Sequence, residues 1–405
     1  MRAYAPTVFL ILAACGGATR DTTAHNPARY LYVWAGTGND STNGTDMLTV
    51  LDANPRSSAY GSVLSALTVD TAGRMPHHTE FSLPAKGVFF ANDFSADRSF
   101  LIDFRNRAAP RLAGKTVVVP GGRRLHSFAR LPNGNVLASV QFGDAKTPGE
   151  PGGLAEFDSQ GRLVRSGWSK DPAFPGARIR TYGLTVLPAI NRAVTTSSPM
   201  KIEQTAHVVQ VWRLSDLKLL KTLAVPSVPG DSSHMYPFEI RTLADGRSAL
   251  MNTYYCAFYH ITNIESTPKI ERVMTMSHPQ NIGCSVPVIA GQFELMPIAY
   301  AHRIAVIDIS DSDHPKEVAS LPTDTTFFPH WASADPGSDR IVLTEQGDGP
   351  PKVLMLHFDR TTGRLFWDES FRDPGSRTFG VSYDRASWPN GVKGMAMPHG
   401  AVFVP

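Results

Sequence analysis

"MPHHTEFSLP", residues 75–84, sets two adjacent histidines behind a proline and a second proline six residues after His78. The same frame returns as "HSFARLP" from His126, "YGLTVLP" from Tyr182, "HWASADP" from His330 and "HGAVFVP" from His399. Two looser copies join it: "FEIRTLADG" from Phe238 through its Asp-Gly turn, and "GQFELMP" from Gly291 through its proline. The seven starts lie about 48, 56, 56, 53, 39 and 69 residues apart, the spacing of propeller blades joined by loops of unequal length.

The segments between the starts agree with that reading. Short alternating or β-branched runs such as "YLYVWAG", "MLTVLDA", "NVLASVQF", "VVQVWRL" and "RIAVIDIS" are separated by Gly, Pro, Asn and Asp turns, and no long stretch keeps a helical period. The expectation is an all-β, seven-bladed β-propeller over residues 30–405, each start opening the innermost strand of a blade. The last start is too short to be a blade alone. It requires the N-terminal strands "YLYVWAG" and "MLTVLDA", a ring closure that removes the open sheet edge.

The aligned first positions are His78, His126, Tyr182, Phe238, Gly291, His330 and His399, four histidines in a chain that has 13 among 405 residues. Because the last blade neighbours the first, His330, His399, His78 and His126 fall on consecutive blades at one channel mouth, with His77 adjacent. One histidine at a strand start is ordinarily a hydrogen-bonded polar residue; four in one column point to a metal site. Imidazole suits Cu, Zn, Fe and Ni, and the column offers no thiolate, so copper and zinc lead. Neighbouring residues of a regular strand face opposite ways, so His77 and His78 can both be ligands only if Pro76 puts them in a turn.

The N-terminus reads as an export signal. Residues 1–14 carry Arg2 and an apolar run too short to span a bilayer, and Leu12-Ala13-Ala14-Cys15 resembles the lipobox of bacterial lipoproteins, where cleavage precedes a lipidated cysteine. Gly16 after it favours the outer membrane, and residues 15–29, small and polar, read as a flexible tether. The expected location is therefore the periplasmic face of the cell envelope, with membrane contact only through the lipid. Cys256 and Cys284 remain, equally compatible with a disulfide and with two buried thiols. Net charge is +3 with both signs scattered, which leaves no basic stripe for nucleic acid.

Several of these segments together resemble the selenium-binding protein and methanethiol oxidase family: "MLTVLDANPRSSAY" (47–60), the His77-His78 pair, "LHSFARLPNGNVLASVQFGD" (125–144), "GGLAEFDSQGRLVRSGW" (152–168), "PFEIRTL" (237–243) and "IDISDSDHPKEVASL" (307–321). The resemblance implies a copper-dependent oxidase that converts a small thiol and dioxygen to an aldehyde, hydrogen sulfide and hydrogen peroxide. It implies copper ligands at His77, His78, His126 and His399. The family more often has glutamine at the position of His330, which makes His330 an extra ligand or a support for one. Gly61 stands where the family carries its selenium-linked cysteine, so selenium binding through that residue is not expected. Glu239 matches a family glutamate and reads either as a catalytic base that orients an imidazole or as half of a buried ion pair; Glu80 is a weaker candidate of the same kind. The competing class is a non-catalytic, lipid-anchored propeller that binds copper, zinc or a protein partner on the same face.

Two other segments carry less. "AGTGNDSTNGTD" (35–46) matches neither a phosphate-loop nor a calcium-loop spacing and is expected to be a hairpin loop. "DISDSDH" (308–314) is expected to be a solvated turn.

The localisation reading is checked by mass spectrometry of the native protein. The expected mature chain begins at a lipid-modified Cys15, and a Cys15→Ser variant is released in soluble form or left unprocessed. An intact Met1 or an unmodified Cys15 overturns it.

Overall fold

The computed structural model describes residues 26–37, 44–70, 75–94, 97–143, 150–200, 205–276, 283–346 and 349–405. The leader and Cys15 lie outside the described residues. So do 38–43, although the strands that flank them, Tyr30–Thr37 and Thr45–Asp52, pair antiparallel from Thr37↔Thr45 to Tyr30↔Asp52, as in a hairpin.

Seven antiparallel sheets are arranged as blades, each reading outward from an inner strand in chain order. The inner strands are Pro76–Thr79, Arg123–Arg130, Thr181–Leu187, Pro237–Thr242, Val288–Ala290, Pro329–Ala334 and Ala396–Val404 for blades one to seven. In blade seven the C-terminal strand pairs with Tyr30–Thr37, followed by Thr45–Asp52 and Val63–Asp70. The ring thus closes through the two ends of the domain, as its sequence requires. Among the described residues no helix is long and apolar enough to cross a membrane.

Blades are covered on both faces, which explains the composition of their strands. Tyr30–Thr37 and Thr45–Asp52 are buried along almost their whole length and read as near-continuous apolar runs, whereas the outermost Lys218–Ala224 is largely exposed and carries lysines. Seven apolar clusters occur among the described residues, each between two neighbouring blades. One joins Leu31, Val33 and Phe403 of blade seven to Trp331 and Val342 of blade six, and another joins Tyr32 and Trp34 to Phe89 and Phe100 of blade one. The core is therefore a ring of interfaces, stabilised mainly by apolar burial.

Three expectations need correction. Gly291 does not open an inner strand: it is the turn residue, at φ 68°, between the short inner strand Val288–Ala290 and Phe293–Ile298. The proline that suggested the alignment, Pro297, belongs to the second strand. The missing inner-strand length is replaced by Val286, whose N–H donates to the His330 carbonyl (2.9 Å) and whose carbonyl accepts from Ala332 N–H (3.0 Å), a parallel bridge to blade six. The tether also ends before residue 28: Ala28 is buried and its N–H reaches Asp335 Oδ2 (3.1 Å), while Arg29 N–H donates to the Val404 carbonyl. Third, the histidine register of blade one slips by one residue, as described below. The segment 308–314 is a turn before Lys316–Pro322, as expected.

Cys256 and Cys284 form a disulfide that closes a 28-residue separation and ties blade four to the irregular start of blade five. A loop of this size contributes roughly 3 kcal/mol. The Cys256→Ser/Cys284→Ser double variant is expected to lose about that much in guanidinium unfolding; an unchanged midpoint would mean that the Val286 bridge and apolar packing hold the segment alone.

Candidate metal centre

Six inner strands share one irregularity. Each inserts one extra residue against its neighbour near its first turn: between Pro76 and Thr79, Leu125 and Phe128, Thr181 and Leu184, Pro237 and Ile240, Pro329 and Trp331, and Pro398 and Ala401. Such bulges break the two-residue alternation and re-aim side chains. The first bulged residues are His77, His126, Tyr182, Phe238, His330 and His399. The column position of blade one is therefore His77, not His78. Pro84, from which the spacing was counted, lies past the end of the short Pro76–Thr79 strand and carries no register. His78 takes the second bulge position, equivalent to Ser127, Gly183, Glu239 and Gly400. No turn is needed to bring the pair together: the bulge leaves the His77 and His78 ring centroids 4.5 Å apart.

Glycine at two of those second positions has a steric reason. A Cβ on Gly183 would lie 2.4 Å from the Phe238 carbonyl oxygen, and one on Gly400 would lie 3.0 Å from the Thr79 nitrogen.

The column forms an arc of touching rings. Centroid separations run 4.4 Å from His330 to His399, 4.0 Å to His77, 4.8 Å to His126, 3.8 Å to Tyr182 and 4.5 Å to Phe238. The arc is open at blade five, whose inner strand lacks the bulge. His78 lies 4.3 Å from His126 and meets Trp331 edge-on at 5.1 Å. Phe81 stacks on Trp331 at 4.8 Å, and the Arg241 guanidinium lies 4.1 Å from the Phe81 centroid, so apolar surface closes in around His78.

His77, His78, His126 and His330 are buried; His399 is partly buried, with both of its ring nitrogens shielded from solvent. Burial drives each pKa down, because desolvation penalises the imidazolium, and for His77, His78, His126 and His330 the neighbouring rings add to it; His399 is held at about 3. The five are therefore neutral at physiological pH, the form that ligates a metal.

Their hydrogen bonding is incomplete. His77 Nε2 faces His126 Nε2 at 3.0 Å, and both ring nitrogens of His330 and Nε2 of His78 lack a partner. Buried polar atoms are rarely left unmet. One ligand atom each from His77, His78 and His126 lie within 4.8 Å of one another. Nitrogens roughly 2.0–2.1 Å from a shared ion stand about 3–4 Å apart, so this donor set fits an imidazole-bound metal after small side-chain adjustment. Ser127 supports it: its hydroxyl lies 2.9 Å from His126 Nδ1 and 3.4 Å from His78 Nδ1, which turns both Nε2 atoms inward. Sequence reasoning passed over Ser127, although it directly follows His126 in "LHSFARLP".

The two carboxylates are placed differently. Glu239 is buried and pairs with Arg241 through Oε2 (2.7 Å), with Oε1 unpartnered; among the described residues no hydrogen bond links it to an imidazole. Burial raises its pKa against the pull of Arg241. Glu80 binds Arg130 and accepts the Phe90 N–H, a structural role.

Fold and site together define a seven-bladed propeller with a five-histidine cluster at one channel mouth. In sequence the chain is 26% identical over 225 residues to a methanethiol oxidase from Hyphomicrobium, a match that spans about half of each protein. Its fold is similar to that of a hypothetical selenium-binding protein from Sulfolobus tokodaii, with a TM-score of 0.74, 15% identity and 93% of each chain covered. A putative 6-phosphogluconolactonase from Bacteroides fragilis shares the fold more loosely, at a TM-score of 0.63, 12% identity, and 95% and 99% coverage. No family model matches the sequence. The resemblance read from the residues thus holds in sequence to a methanethiol oxidase and in fold to a selenium-binding protein.

The depressed imidazole pKa values set a pH dependence. In the unfolded chain histidine protonates near pH 6.5, whereas His399 in the fold resists until about 3. Below pH 6.5 the unfolded state binds more protons, so stability falls as pH falls. Unfolding free energies of the metal-free protein, from urea titrations between pH 7.5 and 5, are expected to decline by up to about 1.4 kcal/mol per pH unit for each imidazole that stays neutral. A His330→Gln/His399→Gln variant should show a shallower decline, and an equal one would place the protons elsewhere.

Proposed function

We propose that this protein is an exported, lipid-anchored, copper-dependent thiol oxidase of the methanethiol oxidase type. The observation that carries the reading is the convergence of five neutral imidazoles, four of them buried and the fifth partly so, at one mouth in a chain whose sequence is related to a methanethiol oxidase. His77, His78 and His126 are the ligands, and His399 and His330 border them on the other side. Copper bound there supplies a Lewis-acidic, redox-active centre that favours the thiolate form of a substrate. In the overall reaction one molecule each of a primary thiol, dioxygen and water give one each of aldehyde, hydrogen sulfide and hydrogen peroxide. A C–S bond is broken, a C=O bond is formed, and dioxygen is reduced by two electrons.

The chain's own residues do the rest. Ser127 fixes two imidazoles through Nδ1, and Trp331 and Phe81 limit water around His78. Glu239, buried with one oxygen unpartnered and a raised pKa, is the candidate to hold a proton beside the arc, since it takes the second bulge position directly after Phe238. The Cys256–Cys284 disulfide suits an oxidising compartment and supports the export reading.

His126→Ala is the decisive variant. Metal analysis of the purified protein and thiol-dependent oxygen uptake are expected to show both copper and activity lost, with the circular-dichroism spectrum unchanged because a channel-mouth ring contributes little to the inter-blade core. Retained copper with lost activity, or no thiol-dependent oxygen uptake by copper-loaded wild type, overturns the proposal.

A further inference from the structure

A cavity of about 220 Å³ opens over the histidine arc, with His77 and His330 in its wall. Tyr182, Tyr236, Phe238, Tyr254 and Tyr255 supply most of the rest, and Met200 also lines it. The aromatic rings form a connected surface. From Tyr182 the contacts pass to Phe238 at 4.5 Å, to Tyr254 at 5.6 Å, to Tyr255 at 5.9 Å and to Tyr236 at 5.8 Å. Since Tyr182 lies 3.8 Å from His126, this wall begins at the proposed metal centre and leads away from it.

Two properties of the cavity bear on what it takes. Among the described residues that line it there is no lysine, arginine, aspartate or glutamate, and a charge brought into such surroundings loses hydration without gaining a counter-ion. Its volume also far exceeds the roughly 10–15 Å³ that holds one water molecule, so a substrate with one carbon and one sulfur leaves most of the aromatic wall uncovered. Sulfur and alkyl groups both pack favourably on aromatic rings.

We infer that the site is built for uncharged organic thiols larger than methanethiol, the sulfur at the histidine arc and the apolar group along the Tyr182–Phe238–Tyr254 wall. The inference rests on the thiol oxidase reading and deepens it. Cysteine and glutathione carry charges close to their sulfur and gain no counter-ion from these described lining residues.

The test compares methanethiol, ethanethiol, 1-propanethiol, cysteine and glutathione by oxygen uptake with copper-loaded protein. Each added methylene is expected to raise kcat/KM about fourfold, as for burial of a CH2 group, and cysteine and glutathione should fall at least 100-fold below 1-propanethiol. Met200→Trp, which adds bulk to the lining, is expected to cut the propanethiol-to-methanethiol ratio at least fivefold. A kcat/KM that is highest for methanethiol, or cysteine turned over as well as propanethiol, overturns the inference while leaving the oxidase intact. If no thiol is consumed, the oxidase reading fails, and the cavity is still tested by fluorescence titration of the metal-free protein. There 1-pentanol should bind at least tenfold more tightly than pentanoate, and equal or absent binding overturns the inference.

Discussion

The site depends on one backbone device, a single extra residue near the start of six of the seven inner strands. A regular strand entering the channel would present every second side chain to it and turn the intervening ones into the blade interface. The bulge suspends that alternation for two positions, so adjacent residues lie near each other at the mouth. The same device gives different chemistry by substitution alone: imidazole in blades six, seven, one and two, aromatic rings in blades three and four. Where it is missing, in blade five, the ring of side chains is open, and Val286 bonds the inner strand of blade six instead, while Ser285 N–H donates to the Pro297 carbonyl of its own blade.

Desolvation then decides what the histidines are. Five imidazoles packed with ring centroids as close as 4.0 Å cannot share several positive charges, and burial suppresses even the first. They are held neutral, with nitrogens that lack hydrogen-bond partners, and this arrangement destabilises the metal-free fold. A cation that accepts those lone pairs reverses the penalty. Zinc and copper both satisfy that requirement, and the redox function is what assigns copper in the proposed enzyme.

Much of this was legible in the sequence, for definable reasons. The blade count followed from a recurring proline frame, and ring closure from the length of "HGAVFVP". His126, Tyr182, His330 and His399 were placed in one column because each frame keeps the same distance from bulge to proline, and Phe238 joined them through its Asp-Gly turn. His78 was taken for His77 because blade one leaves its strand at Thr79, four residues before Leu83-Pro84, and a count along the chain cannot see where pairing stops. Gly291 failed for a related reason: an inner strand of three residues has too little alternation to be recognised, and its support comes from Val286 and a disulfide across blades. Ser127 was overlooked because serine beside histidine has no pattern of its own; only the folded distances to two Nδ1 atoms give it a role.

The closure of the ring and the assembly of the site are the same event. His399 sits on the C-terminal strand Ala396–Val404, which is held on one side by Tyr30–Thr37. From the other side Thr344 donates to the His399 carbonyl and Trp331 Nε1 donates to the Ala401 carbonyl at 3.0 Å. His77 enters from the blade beyond. The cluster therefore joins residues 77, 126, 330 and 399 only when the first and last strands have paired, and the unfolded chain offers no comparable set of donors. A ligand that binds the folded state alone stabilises it in proportion to the logarithm of its concentration over its dissociation constant. A metal bound at this mouth would accordingly act on the whole propeller as a clasp across its closing seam, which no loop joins and which rests on the pairing of Tyr30–Thr37 with Ala396–Val404.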